Sequence, residues 1–147
     1  MTSYSEGERI AAYENPAPMM LSDDYIDKNA IEVLKLLAIK GTCFTSEISR
    51  DLGIHIETTN KLLNSLVRKK YIKKFIPDRY HPQNIIAVRI PQLQSSGMDN
   101  YEKVSRASWW VITVTGIDYL KLKCKGEGVQ IKGAVLKYWE LPYPEDD

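Results

Sequence analysis

Apolar residues recur at helical spacing on both sides of Gly53, within residues 45–68 (TSEISRDLGIHIETTNKLLNSLVR). This pattern predicts a short helix, a tight turn at Gly53 and a longer helix over residues 56–70. The residues predicted to face the core are Ile48, Leu52, Ile54, Ile56, Leu62, Leu63, Leu66 and Val67. The residues predicted to lie outside are Glu57, Thr58, Asn60, Lys61, Asn64, Ser65 and Arg68.

Another helix is predicted before this pair. Ser22 is a suitable N-cap, and Asp23 and Asp24 lie in the first turn, where the helix dipole favours anions. The apolar positions at helical spacing are Ile26, Ala30, Val33, Leu34 and Leu37. Gly41 is expected to end this helix and Thr45 to cap the next one. The three helices should therefore build one core.

Three runs of strand-forming residues follow the third helix. The runs are residues 71–76, 85–90 (IIAVRI) and 109–114 (WWVITV). Pro77-Asp78 is a turn signal after the first run. Neighbouring side chains in a strand point to opposite faces, so we expect only one of Trp109 and Trp110 in the core.

The chain after the third strand is predicted to be a helix followed by an ambiguous segment. Thr113 should cap a helix over residues 114–124, with Ile117, Leu120 and Cys124 pointing inward. Residues 129–131 and 135–139 are compatible with a hairpin, whereas residues 134–141 are compatible with one short helix. The aromatic residues Tyr138, Trp139 and Tyr143 either contact a second subunit or cover the core of their own domain.

The 147 residues are enough for one hydrophobic core, and we expect a domain over residues 21–124. Residues 1–20 are predicted to be a flexible arm, and residues 125–147 an extension with an acidic end. No run of 18 apolar residues and no secretory-signal pattern occurs, so we expect a cytoplasmic protein without a membrane partner. Cys43 and Cys124 form no CxxC pair, which favours buried thiols and no metal or cofactor.

The net charge of +1 hides an uneven distribution. Residues 1–34 contain two Lys or Arg and seven Asp or Glu, a net charge of −5. Residues 35–137 contain eighteen basic and eight acidic side chains, a net +10, and residues 138–147 carry a net −4. A basic body is typical of a phosphate-binding surface. The acidic ends either shield that surface, mask it, or promote solubility.

Sequence patterns of common catalytic sites are absent from the chain. It has no G-x-S-x-G, no H-E-x-x-H, no G-x-x-x-x-G-K-[ST] and no G-x-G-x-x-G. His55 and His81 stand far apart in the chain, so acid–base chemistry has few candidate groups. We therefore expect a protein that is not an enzyme.

Two segments resemble the winged-helix transcription regulators of prokaryotes and archaea, broadly the MarR and ArsR groups. The first is residues 44–74, in which a helix-turn-helix runs into a basic strand through RKKYIKK. The second is residues 109–120, in which Ile112-Thr113-Val114-Thr115-Gly116 is similar to the strand–helix closure of that family. The resemblance covers about residues 22–124. It implies an α+β winged helix-turn-helix fold, with a three-helix core, a small antiparallel β-wing and a closing helix.

The resemblance also implies a homodimeric regulator of transcription that binds double-stranded DNA. The third helix would enter the major groove, with contacts from Thr58, Asn60, Lys61, Asn64 and Ser65. The basic strip of residues 68–74 would bind phosphates through Arg68, Lys69, Lys70, Lys73 and Lys74. A wing formed by a hairpin over residues 77–90 would add Arg79.

Three departures from the family leave an alternative open. About 32 residues, 77–108, stand where the family has a short wing, so the insertion is a candidate for the protein's particular function. His55 replaces a small capping residue, and Glu57 would repel phosphate near the expected DNA face. A winged-helix fold does not determine function. The alternative is a protein-interaction module that does not bind DNA sequence-specifically.

Overall fold

The structure, a computed structural model, describes residues 21–77, 85, 89, 107–125 and 127–142. The continuous described stretches form five helices and a three-stranded antiparallel sheet, an α+β architecture. The helices are α1 (Asp23–Lys40), α2 (Thr45–Leu52), α3 (Ile56–Arg68), α4 (Val114–Lys123) and α5 (Gly133–Tyr138). The strands are β1 (Thr42–Phe44), β2 (Ile72–Phe75) and β3 (Trp109–Ile112).

Helix α1 has the predicted ends and the predicted core side. The Ser22 hydroxyl accepts a hydrogen bond from the Tyr25 backbone N–H at 3.1 Å, as an N-cap does. Gly41 ends the helix with φ of +96°, a backbone conformation that favours glycine. All five predicted core residues of this helix are buried: Ile26, Ala30, Val33, Leu34 and Leu37.

Helices α2 and α3 confirm the predicted pair, with corrections at their ends. Gly53 adopts the left-handed conformation with φ of +67° and makes the turn. Thr45 is the first residue of α2 and not its cap, because the N-cap is Phe44, whose N–H donates to Glu47 Oε1. Helix α3 ends at Arg68, two residues earlier than predicted. Among the expected core residues, Ile56 and Val67 are more than one-third exposed.

The sheet contains one strand that the sequence pattern did not predict. β1, only three residues long, pairs with β3, and β3 also pairs with β2, so β3 is central. Trp109 is fully buried and forms an edge-to-face pair with Phe44 across the sheet, with ring centroids 5.1 Å apart. Trp110 is partly buried, and its Nε1 donates to Thr45 Oγ1 at 2.9 Å. The prediction that only one of the two indoles lies in the core is confirmed.

The predicted strand over residues 85–90 is wrong at the two positions that the structure describes. Ile85 and Arg89 are both helical and buried. Alternation and helical spacing are hard to distinguish over so few residues, which explains the error. The remaining residues of 78–106 lie outside the described part of the chain.

Helices α4 and α5 close the fold. The Thr113 hydroxyl caps α4 by accepting from the Gly116 N–H at 3.0 Å, and Ile117, Leu120 and Cys124 are buried as predicted. A side chain at Gly116 would meet the Tyr71 carbonyl oxygen at 2.1 Å, so this position requires glycine. The helical alternative for the C-terminal segment is confirmed by α5, which buries Val135 and Leu136. None of the described helices is long and apolar enough to cross a membrane.

Candidate functional site

The exposed face of α3 is polar in its middle. Asn60 and Asn64 are exposed, whereas Thr58 and Lys61 are half-buried, so all four reach the surface. Ser65 was expected on this face, and that expectation is wrong, because the residue is only 8% exposed. Its hydroxyl accepts from Arg68 Nη2 at 3.3 Å, so it supports an arginine at the surface and is not itself presented to a partner.

The start of α3 is held by an unusual cap. His55 is the N-cap, and its Nδ1 accepts from the Glu57 N–H at 3.1 Å. The buried Thr59 hydroxyl donates to the His55 carbonyl oxygen at 3.0 Å. The imidazole therefore replaces the small capping residue that the family resemblance implied, and the first turn of α3 stays ordered.

The end of α3 carries three consecutive exposed cations, Arg68, Lys69 and Lys70. The Tyr71 N–H donates to the Leu66 carbonyl at 3.0 Å, and the Lys70 N–H to the Val67 carbonyl at 2.9 Å. This is a Schellman ending, in which the residue at the Lys70 position must be left-handed and is usually glycine. Lys70 adopts φ of +67° there. A cation thus occupies a position where glycine would cost less conformational energy.

The basic strip of residues 68–74 is not one continuous surface. Lys73 and Lys74 are both exposed and are neighbours in β2, so their side chains point to opposite faces of the sheet. The Lys73 ammonium lies over the rings of Trp139 and Tyr138, at 5.2 and 5.7 Å from the centroids. Those rings belong to the C-terminal segment, where Trp139 Nε1 donates to the Ile112 carbonyl. Of the predicted site residues, only Arg79 lies outside the described part of the chain.

A groove of about 500 Å³ runs between the start of α1 and one side of α3. The α1 side is lined by Leu21, Asp23 and Ile26. The α3 side is lined by Lys61, Asn64, Ser65, Arg68 and Lys69. Among the described lining residues, the α3 wall therefore has three cations and the α1 wall a single carboxylate. The groove lies beside the polar face of α3.

Behind α2, a buried ion pair joins distant parts of the chain. Arg89 donates to both carboxylate oxygens of Glu47, at 2.6 and 3.2 Å, and the two side chains are only 3% and 4% exposed. Arg89 also donates to the Thr42 carbonyl in β1 and lies over the Trp109 ring. The pair therefore fixes one residue of the 76–108 connection against the start of α2 and the sheet.

Lys40 extends this buried pair to the surface. Its ammonium contacts Glu47 at 3.0 Å and Asp51 at 2.6 Å. Burial alone would lower the pKa of Lys40, but hydrogen bonds and charges of Asp51 and Glu47 outweigh burial and raise it. Burial, together with the charge of Glu47, also raises the pKa of the neighbouring Cys43 thiol, which is fully buried. Cys43 is therefore a poor nucleophile.

The pattern of the sequence did not indicate this network. Glu47 resembles an ordinary acidic residue in the first turn of a helix, and Arg89 falls within a predicted apolar strand. The one usable signal was an arginine within the apolar run IIAVRI, because a buried arginine requires an acidic partner. Within the described residues, no group of three His, Cys, Asp or Glu side chains is arranged to hold a metal ion. Comparisons with protein-family models, curated proteins and solved structures found no match to this chain.

Proposed function

We propose that this chain is a DNA-binding regulator of transcription with a winged-helix fold. The order α1, β1, α2, α3, β2, β3, α4 supports the fold, together with a central β3 between β1 and β2. In this arrangement α2 and α3 form the helix-turn-helix, and α4 closes the domain. The fold permits several functions, so the function rests on the surface of α3.

The observation that carries the proposal is the continuity of the α3 surface. Asn60, Lys61 and Asn64 lie on one side of the helix, and the exposed cations at residues 68–70 follow at its end. Asparagine can bind adenine bidentately, and lysine can donate to guanine. Cations at the end of a helix in the major groove are suited to bind the flanking phosphates. The α3 helix thus combines base-reading groups and phosphate-binding groups in one element.

The proposed contact surface differs from the sequence-based one. Thr58, Asn60, Lys61 and Asn64 face the bases, and Arg68, Lys69 and Lys70 bind phosphates. Ser65 is left out because it is buried. Lys73 and Lys74 cannot both face one DNA backbone, and Lys73 stands over the C-terminal aromatic rings, so Lys74 is the better candidate. The hairpin wing over residues 77–90 does not belong to the proposal, because Ile85 and Arg89 are helical.

A protein-interaction module is the second candidate, and one observation favours it. Ile56 and Val67 are 39% and 38% exposed, and both lie on α3. Apolar side chains on an outer helix face are common at protein interfaces. In a DNA complex the same side chains would contact thymine methyl groups. A homodimer and a cytoplasmic location are also proposed. Because α5 covers the core of its own domain, a dimer contact through Val135 and Leu136 is not part of this proposal.

Fluorescence anisotropy of a labelled random-sequence DNA duplex at two salt concentrations tests the proposal. Lys69→Glu/Lys70→Glu should weaken binding and should lower the slope of log K against log salt by about 0.9 for each phosphate that the variant no longer binds. Lys121→Glu/Lys125→Glu is the matched control, because it changes the net charge equally at exposed positions at the far end of α4. The control should leave the slope unchanged.

Two results would reject DNA binding by this surface. One is no binding of the folded protein at low salt, which would make the protein-interaction module the leading candidate. The other is an equal loss of affinity in both double variants, which would show that only the net charge matters. If DNA binds as proposed, a specific site can then be selected from random duplexes.

A further inference from the structure

We propose that the groove between α1 and α3 is the docking site of the N-terminal segment, residues 1–20 of the same chain, and that the docked segment competes with DNA. The consequence for DNA rests on the proposed function, whereas the docking does not. The groove is about 500 Å³ in volume and is lined by residues that the DNA proposal also uses, Lys61, Asn64, Arg68 and Lys69. An occupant of the groove would therefore cover part of the proposed contact surface.

The first argument is connectivity. Leu21 is itself part of the groove wall, and it is the residue to which the N-terminal segment is joined. α3 has 13 residues and is roughly 20 Å long, whereas 20 extended residues reach up to roughly 66 Å. The segment is thus long enough to follow the whole groove. Its attachment beside the groove gives it a high effective concentration there.

The second argument is charge. The α3 wall carries Lys61, Arg68 and Lys69, and the described residues of the opposite wall include one carboxylate, Asp23. The N-terminal segment contains three glutamates, Glu6, Glu8 and Glu14, and one basic residue, Arg9. An acidic segment beside a mainly basic wall is attracted to it, although Asp23 opposes part of that attraction.

The third argument is the apolar part of the groove. Leu21 and Ile26 line it, and Leu21 is only partly buried. The N-terminal segment supplies apolar residues of matching character, ending in Met19-Met20 directly before Leu21. Methionine adapts its shape to irregular apolar surfaces. Charge and apolar contact thus favour the same occupant.

A nitroxide label at Ala11→Cys in the full-length chain tests the docking without DNA. Cys43 and Cys124 are buried, so the new thiol should react in preference to them. We expect the label to broaden the amide NMR signals of Asn64 and Arg68. Lys61→Glu/Lys69→Glu should remove that broadening, and Lys121→Glu/Lys125→Glu should not. In the groove variant, Lys61→Glu/Lys69→Glu, exchanging Glu6, Glu8 and Glu14 for lysine should restore the broadening, because the charges are then opposite again.

Three results would overturn the docking. The first is no broadening on α3. The second is broadening that the groove variant leaves unchanged. The third is broadening seen only between a labelled chain and a second, isotope-labelled chain, which would assign the groove to another copy of the protein. Each of these results would reject the docking whether or not the protein binds DNA.

The competition with DNA is tested separately. A segment docked in about 90% of molecules would lower the apparent DNA affinity about tenfold. Glu6→Gln/Glu8→Gln/Glu14→Gln should therefore tighten DNA binding, and adding duplex to the labelled chain should remove the broadening. Docking without any DNA binding would reject the proposed function and keep the segment in the groove. DNA binding without any broadening would reject the docking and keep the proposed function.

Discussion

Two regions of this molecule use charge in opposite ways. At the start of α2, the Glu47 carboxylate is almost completely buried and is joined to the equally buried Arg89 by two hydrogen bonds. At the end of α3, Lys69 and Lys70 are exposed. Removing one partner of the buried pair is expected to lower the unfolding free energy strongly, because the other charge is then left unpaired. The exposed cations contribute little to stability. Stability and binding are therefore expected to depend on different charged residues.

The largest effect is expected from Arg89→Met, which leaves the Glu47 carboxylate buried without its main partner. Removing one member of a buried pair costs roughly 3–5 kcal/mol of unfolding free energy. Chemical denaturation followed by circular dichroism measures the loss. Arg50→Met is the control, because Arg50 belongs to the same helix α2 and is exposed, and its replacement should cost less than about 0.5 kcal/mol.

The double variant Glu47→Leu/Arg89→Met sharpens the same comparison. Replacing both partners by apolar residues removes the unpaired charge, so it should be less destabilising than Arg89→Met alone. The Arg89 Nε atom has no hydrogen-bond partner among the described residues, which limits what the pair contributes. A cost for Arg89→Met no greater than that for Arg50→Met would show that the buried pair does not support the fold.

Lys40 lies between the buried pair and the exposed cations in burial, and it connects the buried pair to the surface. Its pKa is raised above 10.5 in the folded protein, so its contribution to stability is complete below that pH and is lost as the pH rises through the folded pKa. The difference in unfolding free energy between the wild type and Lys40→Met should therefore be constant near neutral pH and shrink at alkaline pH. Urea denaturation between roughly pH 8 and 11.5 measures this difference.

Asp51→Asn provides the control for Lys40. Asp51 contacts the Lys40 ammonium at 2.6 Å, so its charge helps to raise the pKa. In the Asp51→Asn background, the effect of Lys40→Met should be smaller, and its decline should be complete at a lower pH, because the folded pKa is closer to the unfolded one. A Lys40→Met effect that grows with pH would contradict the assigned direction of the shift.

The same contrast explains which features the sequence could predict. Helical periodicity identified α1, α2, α3 and α4, because each buries residues at regular spacing. Ser22 and Thr113 are predictable as caps because their side chains act within three residues of the chain. The contact of Glu47 with Arg89 was missed because the two are 42 residues apart, and local patterns contain no information about such a contact.

The sequence predicted most of the residues of the candidate site, but it did not predict which of them share one surface. The polar residues of α3 were found from spacing, but Ser65 lies at the margin of the exposed face, where a small change in packing decides burial. Lys73 and Lys74 are continuous with residues 68–70 in the sequence. The left-handed turn at Lys70 and the two faces of β2 separate them in the structure. β1 was missed because three residues are too short to show alternation.

The smallest effect is expected at Lys70, where exposed charge and backbone strain coincide. Lys70→Gly removes the cost of a left-handed side-chain residue, partly offset by the greater freedom of glycine in the unfolded chain. We expect a gain of about 0.5 kcal/mol in unfolding free energy. Lys69→Gly is the control, because Lys69 is right-handed and should lose stability instead. If Lys70→Gly stabilises the protein and also weakens DNA binding, the cation occupies a glycine position because binding requires it. A gain in stability with unchanged affinity would separate Lys70 from the binding surface and restrict the proposed phosphate contacts to Arg68, Lys69 and Lys74.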